Sequence, residues 1–329
     1  MSKKASLTIL IAGLCLAAAP AFAAPLQKSE VSPTANWVAH IDLEAFRGSS
    51  IGKLVLAELR NQGLEQKLQD FSNIFSFNPL QDIRDVTLYG KGQDRSNAVV
   101  VVDGQFDTQK LLSLLRLNSQ YQEIPYKGST LYRWQQEQKP GQQPPADQAA
   151  DQMMYGCVCE GNRIVVGTGL EAVQRAVDTL KGQATGASTG LLNQIPQGQG
   201  KVFAQVVAAG VGDIVGENPQ AAMLKQTDSL ALTIGETTDK VFGQLSLQGQ
   251  TAEVAANTTK LLQGLIAMVQ LSAGEQPQLA ELTRSLTISQ ADKTTQVRFE
   301  APTQTLFQFL KDQWAKQKQT PGQPPATVP

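Results

Sequence analysis

The sequence has few of the residues from which metal sites and most hydrolytic sites are built. Its 329 residues include a single histidine, His40, and three cysteines. Neither a His-Glu-x-x-His nor a Cys-x-x-Cys motif is present, so the common ligand sets for zinc are missing. Charged residues make up 17% of the chain and the formal net charge is −1, which argues against nucleic acid or a charged membrane surface as a partner. We therefore expect no metal and no cofactor.

The chain also lacks long apolar runs outside its first residues. There, two lysines precede the apolar run Leu7–Ala19, and the small residues Ala21 and Ala23 follow it. This order is typical of a secretory signal peptide, and the run is shorter than the about 20 apolar residues of a membrane-spanning helix. We expect residues 1–23 to be cleaved off after Ala23, which takes the formal net charge to −3 because two lysines leave and no acid does. The mature protein is then periplasmic or secreted, with no transmembrane span.

The rest of the chain contains two blocks of segments in the same order, residues 36–182 and residues 201–317. Each block begins with an extended segment, continues with helix, two strands and a second helix, and closes with a hairpin and a third helix. Alternation such as that of Leu230, Leu232 and Ile234 is typical of antiparallel strands with one covered face. We predict an α+β fold made of two copies of a β-α-β-β-α-β-β-α module, with largely antiparallel sheets covered by helices.

Local signals predict several boundaries within the blocks. Gly63 is expected to divide the helical stretch 51–74 into two helices. One long hairpin is expected, with arms at Tyr126–Trp134 and Met153–Val166, the second of which is bent or broken at Gly161. In the second block, Asp213–Gln226 is expected to form an interrupted helix.

The segments around the blocks have the composition of connections. Residues 24–35 and 183–200 are predicted to be linkers. Residues 135–152 are rich in Gln and Pro and predict a mobile loop inside the hairpin, and residues 318–329 predict a disordered Pro-rich tail.

Three short motifs suggest a distant relationship. They are Asn78–Ile83 before a strand, Tyr126–Tyr132, and Arg163–Gly167 before a helix. In these motifs the chain resembles a group of exported bacterial proteins that is defined only as a domain of unknown function, over most of the mature chain. The motifs are turns and strands, so the resemblance implies no catalytic residues.

Ser50 stands in two motifs known from hydrolytic enzymes. Gly48–Gly52 matches the Gly-x-Ser-x-Gly of nucleophile elbows, and Ser50 with Lys53 matches the Ser-x-x-Lys of penicillin-recognising enzymes. An elbow needs a strand that runs directly into the serine, and the strand here ends near Leu43, several residues earlier. A triad needs a histidine, and His40 precedes the serine. We expect Ser50 to be a helix cap, with Ser50, Lys53 and His40 as the catalytic alternative.

The segment Gly167–Ala172 matches the Gly-x-Gly-x-x-Ala form of the dinucleotide fingerprint. The strand that follows ends at Val206-Val207-Ala208 and carries no acid to bind a ribose. We therefore interpret Thr168 and Glu171 as a capping box at the start of a helix.

Cys157 and Cys159 are two residues apart in a predicted strand, so their side chains point to the same face. Their Cα atoms would be separated by roughly 6.5–7 Å, at or beyond the limit for a disulfide. We expect two buried free thiols without metal, with a strained bridge or a metal or redox role as alternatives.

These observations favour a non-catalytic binding or interaction protein outside the cytoplasm, with an unknown protein or envelope component as its partner. A serine-dependent hydrolase or penicillin-interacting protein that uses Ser50 is the second possibility, and a structural protein of the cell envelope is the third. The oligomeric state does not follow from the sequence.

Overall fold

Twelve antiparallel strands form one continuous sheet in the computed structural model, which describes residues 26–136, 153–184, 189–214, 224–272 and 277–319. In chain order, the strands are β1 (Trp37–Asp42), β2 (Ile83–Gly90), β3 (Val99–Gly104), β4 (Gln122–Tyr126), β5 (Ser129–Gln135), β6 (Met153–Cys159), β7 (Arg163–Gly167), β8 (Lys201–Ala209), β9 (Thr227–Glu236), β10 (Lys240–Gly249), β11 (Leu286–Ala291) and β12 (Thr294–Pro302). Their spatial order is β11-β12-β10-β9-β8-β1-β2-β3-β7-β6-β5-β4.

Helices lie on both faces of this sheet. They are α1 (Leu43–Gly48), α2 (Ser50–Asn61), α3 (Leu64–Phe75), α4 (Pro79–Asp82), α5 (Thr108–Leu115), α6 (Leu170–Leu180), α7 (Thr189–Leu192), α8 (Val211–Ile214), α9 (Ala252–Ser272), α10 (Pro277–Arg284) and α11 (Thr303–Gln319). None of the helices described has the length and apolar character needed to cross a membrane.

The predicted α+β class and the antiparallel pairing are confirmed. The helix break at Gly63 is also confirmed, and its φ of 85° explains it, because a residue without Cβ adopts this left-handed conformation freely. The expected break at Gly161 is confirmed, because β6 ends and β7 begins on either side of it, but the expected single hairpin is wrong: four strands, β4 to β7, fill this region. Lys127-Gly128 makes the first extra turn, with positive φ at both residues.

Other boundaries differ from the prediction. Of the helix expected over Asp213–Gln226, the described part contains only the end of α8 and a 3-10 turn at Leu224–Gln226. The expected linker at 183–200 includes α7, and its Leu191 and Leu192 are buried. The expected amino-terminal linker contributes Val31 to the core. The predicted signal peptide (1–23), most of the predicted loop (137–152) and the predicted tail from residue 320 lie outside the described residues.

The two faces of the sheet differ between its halves. We call the side covered by α6 the α6 face: Val38, Val101 and Val165 point to it and pack against Val173 and Val177 of that helix. The other side, the opposite face, is covered in the second half by α9 and α11, with α10 packed between these two helices. In β10 to β12 the α6 face instead carries polar residues such as Gln244, Ser246 and Gln296. Each strand there alternates between an apolar and a polar side, as the sequence predicts.

The buried carboxylate of Glu236 connects the two halves of the molecule through hydrogen bonds. Glu236, at the end of β9, is 5% exposed and accepts hydrogen bonds from the backbone N–H groups of Ser50 and Ile51, at 2.5 and 3.0 Å. It also accepts one from the Thr303 hydroxyl at 2.9 Å, at the start of α11. A carboxylate at a helix amino terminus satisfies free N–H groups and interacts favourably with the helix dipole. Glu236 does so for α2 and, through Thr303, contacts the first turn of α11.

We expect Glu236→Ala to lower the free energy of unfolding by about 2–3 kcal/mol, because it leaves buried donors at two helix starts without an acceptor. Urea denaturation followed by circular dichroism measures this change. Glu300→Ala is the matched control: Glu300 is exposed and 4.0 Å from Lys240, so its loss should cost less than about 0.5 kcal/mol. Equal effects of the two substitutions would contradict this role for Glu236.

Candidate functional site

A large apolar cavity lies on the opposite face of the first half. Its volume is about 660 Å³, and its floor is the outer part of the sheet, β5 to β7. Its roof is formed by α3, α5 and the residues that follow each helix. The strands under the cavity carry apolar residues on both faces of the sheet. The α6 face is closed by α6, whereas the opposite face is covered less tightly.

The sequences of α3 and α5 explain the loose cover. Both helices are amphipathic, with apolar residues three and four apart, such as Phe71, Ile74 and Phe75 in α3. Neither helix has a single fully buried residue. Their apolar stripes face the sheet without closing on it, so space remains between the helices and the strands.

The part of the cavity wall that the structure describes is almost entirely apolar and contains no charged side chain. An aromatic cluster forms one side, where the ring of Phe77 lies 5.2 Å from that of Phe71 and 5.1 Å from that of Phe106. Leucines of α5 form the roof, and Tyr132 and Trp134 of β5 lie on the floor. The described wall comprises Phe71, Ile74, Phe75, Phe77, Leu111, Leu112, Leu114, Leu115, Leu117, Asn118, Tyr132, Trp134, Gln135, Gln136, Gly156, Cys157, Val158, Ile164 and Val166.

The few polar groups of the wall lie at one end. The Asn118 side chain accepts a hydrogen bond from the backbone N–H of Gln135 (3.2 Å) and donates one to its carbonyl (2.9 Å). This pair fixes the segment after α5 to the end of β5. At the mouth, Ile74 is 54% exposed and Leu117 81% exposed. Large apolar side chains at a cavity entrance favour an apolar ligand, which removes them from water when it binds.

The structure does not assemble Ser50, Lys53 and His40 into a catalytic site. Ser50 is the first residue of α2, and its N–H is bound to Glu236. Lys53 is exposed on α2. His40 is buried on the α6 face, where its Nδ1 lies 2.8 Å from the Thr87 hydroxyl, while α2 packs on the opposite face.

The prediction that Ser50 caps the helix is wrong by one residue. Ser49 is the cap: its Oγ accepts from the N–H of Gly52 at 2.9 Å and donates to the carbonyl of Phe46 at 2.6 Å. A Cβ at Gly52 would lie 1.8 Å from that same carbonyl. The glycine of the hydrolase-like motif is therefore explained by the close contact between α1 and α2.

The capping box predicted for Thr168 and Glu171 is also wrong. Gly169 is the cap residue of α6 and makes no side-chain bond, and the Thr168 hydroxyl donates to the carbonyl of Arg95 at 3.0 Å. A Cβ at Gly169 would lie 2.0 Å from the carbonyl oxygen of Ser96. The glycine of the dinucleotide-like motif thus allows the first residue before α6 to pack closely against the backbone of Ser96.

Cys157 and Cys159 lie on β6 as predicted, with the first thiol buried and the second half-buried, and both are free. The hydrogen bond between the two thiols, together with burial, raises the pKa of Cys159 well above its ordinary value. Cys159 is therefore a protonated thiol rather than a thiolate, and the thiolate is the form that binds metals and attacks disulfides.

Sequence reasoning missed an acidic cluster at the end of the central strands. Asp85 on β2 is paired with Asp42 on β1 and with Asp103 on β3, and all three are buried. Arg163 bridges Asp103 (3.0 Å) and Glu30 (2.7 Å). Burial, and then the charges of Asp103, Glu30 and Asp42, raise the pKa of Asp85 to about 7. Only the register of the three strands brings these acids together, and the sequence does not give the register.

We expect Ser49→Ala to lower the free energy of unfolding by about 1 kcal/mol, because it removes the cap of α2. Ser50→Ala should change it by less than about 0.5 kcal/mol, because the Ser50 side chain is exposed and Glu236 binds only its backbone. Urea unfolding of both variants measures the difference. A larger cost for Ser50→Ala, or a fluorophosphonate label that only this variant loses, would contradict our assignment.

We expect Asp85→Asn to stabilise the protein at neutral pH and not at pH 4. The unfolded-state pKa of Asp85 is near 3.8 and its folded-state pKa is about 7, so the wild type loses stability as the pH rises from about 4 to 7. The variant has no proton to lose at this position. The difference in melting temperature between Asp85→Asn and the wild type should grow as the pH rises to about 7 and then stay constant. A constant difference at all pH values would show that the charge of Asp85 is not the cause.

No protein-family model matches the chain, and no curated protein matches its sequence significantly. Among solved structures, crystal form III of TP0453 is similar at 9% identity with a TM-score of 0.45, covering 88% of this chain and 99% of that one. Crystal form IV of TP0453 is similar at 11% identity with a TM-score of 0.44, covering 86% and 95%. At this distance the similarity supports no conclusion about function.

Proposed function

We propose that the protein is a non-catalytic binding protein that acts outside the cytoplasm and holds a neutral, apolar small molecule, such as a lipid acyl chain, in the cavity under α3 and α5. The observation that carries this proposal is the cavity itself. Its volume of about 660 Å³ lies within the range of about 300–1,000 Å³ that is usual for small-molecule sites.

The chemistry of the wall supports an apolar ligand. A charged group inside would have no partner of opposite charge among the described wall residues, and burying an unpaired charge is costly. Gln136, a wall residue just after β5, is exposed, so a polar end of the ligand can contact its amide or water there. The aromatic rings and leucines supply van der Waals contacts for the rest.

The backbone conformations at the two ends of α3 support a route by which the ligand enters the cavity. Gly63 before the helix and Ser76 after it both have left-handed backbone conformations, with φ of 85° and 58°. These two residues separate α3 from its neighbours as a distinct rigid element. Because α3 has no fully buried residue, we infer that it moves outward to open the cavity, which breaks the hydrogen bonds that Lys110 of α5 donates to Asn73 and Ser76.

The proposal includes an internal duplication, which the strand order supports. Outward from the central pair β1–β8, the first half has β1, β2, β3, β7 and β6, and the second has β8, β9, β10, β12 and β11. The chain order of the strands is the same in both series. The hairpin β4–β5 is then an addition to the first copy, and it supplies part of the cavity floor.

The predicted export of the protein supports a binding role outside the cytoplasm. The signal-peptide pattern before Ala24 predicts a protein of the periplasm or the medium. Apolar molecules that cross this space need a carrier because they dissolve poorly in water.

We expect the protein to bind the neutral dye N-phenyl-1-naphthylamine saturably, with a rise in fluorescence that palmitate reverses. Val158→Trp, on the cavity floor, should weaken dye binding about tenfold or more because the indole fills the space. Leu265→Gln is the matched control: it removes an apolar side chain that is 47% exposed on α9, away from the cavity, and should leave binding unchanged.

Melting temperatures of both variants show whether they are folded. Two results would overturn the proposal: unchanged dye affinity in folded Val158→Trp, or an equal loss of binding in Leu265→Gln.

A further inference from the structure

A second open space adjoins the apolar cavity. Its volume is about 730 Å³, and it lies at the end of the sheet where β3 ends and β6 turns into β7. The N–H of Gln105, just after β3, donates to the carbonyl of Asp82 at 2.8 Å, which places these two residues side by side. We call this space the polar groove. Its polar and charged wall residues are Ser76, Asp82, Arg84, Gln105, Asp107 and Asn162.

The polar groove and the apolar cavity share a wall. Phe106 lines the groove, and the centre of its ring lies 5.1 Å from that of Phe77, which lines the cavity. Ser76 lines the groove, whereas its neighbours Phe75 and Phe77 line the cavity. A molecule that turns one of the two rings aside therefore reaches both spaces, with an apolar part under α3 and α5 and a polar part in the groove.

Two carboxylates of the polar groove have no cation of their own. Asp82 accepts a hydrogen bond from the backbone N–H of Asn78 at 2.6 Å, and Asp107 accepts one from the backbone N–H of Lys110 at 3.0 Å as the cap of α5. Within the described part of the chain, neither carboxylate forms an ion pair. The amine of Lys110 binds the Ser76 hydroxyl instead, at 2.5 Å. Both carboxylates can therefore attract a positively charged group of a ligand.

The guanidinium of Arg84 supplies the opposite charge in the groove. Its Nε and one terminal nitrogen bind the same oxygen of Asp103, and Arg163 binds the other oxygen of Asp103 at 3.0 Å. The Arg84 side chain is 41% exposed and lines the groove, so its second terminal nitrogen can donate to an anion. The polar groove therefore offers partners to both a positive and a negative group.

We propose that the polar groove binds the zwitterionic head of a lipid whose tail occupies the apolar cavity, an inference that rests on the function proposed above. The ammonium of the head contacts Asp82 and Asp107, and its anionic group contacts Arg84. A head with only a negative charge meets two carboxylates, and a head with only a positive charge leaves Arg84 without an anion. Such a lipid has no net charge, and both of its charges stay outside the apolar cavity.

Displacement of bound N-phenyl-1-naphthylamine by three amphiphiles with dodecyl tails tests the choice of head. They are dodecylphosphocholine, dodecanoate and dodecyltrimethylammonium, each used below its micelle concentration. We expect dodecylphosphocholine to displace the dye at a concentration about tenfold lower than either of the others. Asp82→Asn combined with Asp107→Asn keeps an acceptor oxygen at both positions and removes both charges, so it should abolish the advantage over dodecanoate and leave the dye affinity unchanged. Asp228→Asn, exposed on β9, is the control and should change neither.

The outcomes separate this proposal from the one on which it rests. A protein that does not bind the dye would overturn the proposed function and the head site together. Saturable dye binding with equal displacement by the three amphiphiles would overturn the head site alone. The same holds if the double variant retains the advantage of dodecylphosphocholine.

A second measurement fills the groove without changing its charge. Gln105 is exposed in the groove wall, so Gln105→Trp should weaken displacement by dodecylphosphocholine about tenfold and leave the dye affinity unchanged, because the dye occupies the cavity. Gln109→Trp is the matched control, since Gln109 is exposed on α5 and lines neither space. Melting temperatures show that both variants are folded. Equal effects of the two substitutions on displacement would place the head elsewhere and reject the groove as its site.

Discussion

The pairing of β1 with β8 is the interaction on which the rest of the structure depends. These strands are far apart in the sequence, at Trp37–Asp42 and Lys201–Ala209, and five register pairs join them. All strands of the first half lie outward from β1, and all strands of the second half lie outward from β8. The pair also sets the distance between Glu236, on the strand next to β8, and α2, whose start lies just after α1. Without this pair, the carboxylate would not reach the helix that it stabilises.

The same sheet explains why one half has a cavity. In the second half, the α6 face of β10 to β12 is largely polar, and α9, α10 and α11 cover the opposite face. In the first half, the outer strands carry apolar residues on both faces, and α6 covers one of them. The remaining face is left to α3 and α5, neither of which has a fully buried residue. Helices that do not bury their apolar side chains against the sheet leave empty space beneath them.

The sequence predicts the features that depend on near neighbours. Alternation located the strands of the second half, and Gly63 marked the break between α2 and α3. Where adjacent residues are chemically alike, the prediction failed by one position. Ser49 and Ser50 are both good cap residues, and Ser49 is the one whose hydroxyl also donates a hydrogen bond to the carbonyl of Phe46. The cavity and the acids around Asp85 depend on strand register and on which helices cover which face. Those are properties of the whole sheet, and no local pattern contains them.

The central position of β1 has a consequence for how the chain is made. The chain emerges from its amino terminus, so β1 is present about 160 residues before β8. At about 5–20 residues per second, the unpaired side of β1 waits roughly ten to thirty seconds for its partner. During that time β1, which lies in the middle of the finished sheet, has an open edge. Its residue Ile41 is still 43% exposed in the finished fold. Until β8 is present, this edge of β1 is open to pairing with a strand of another chain.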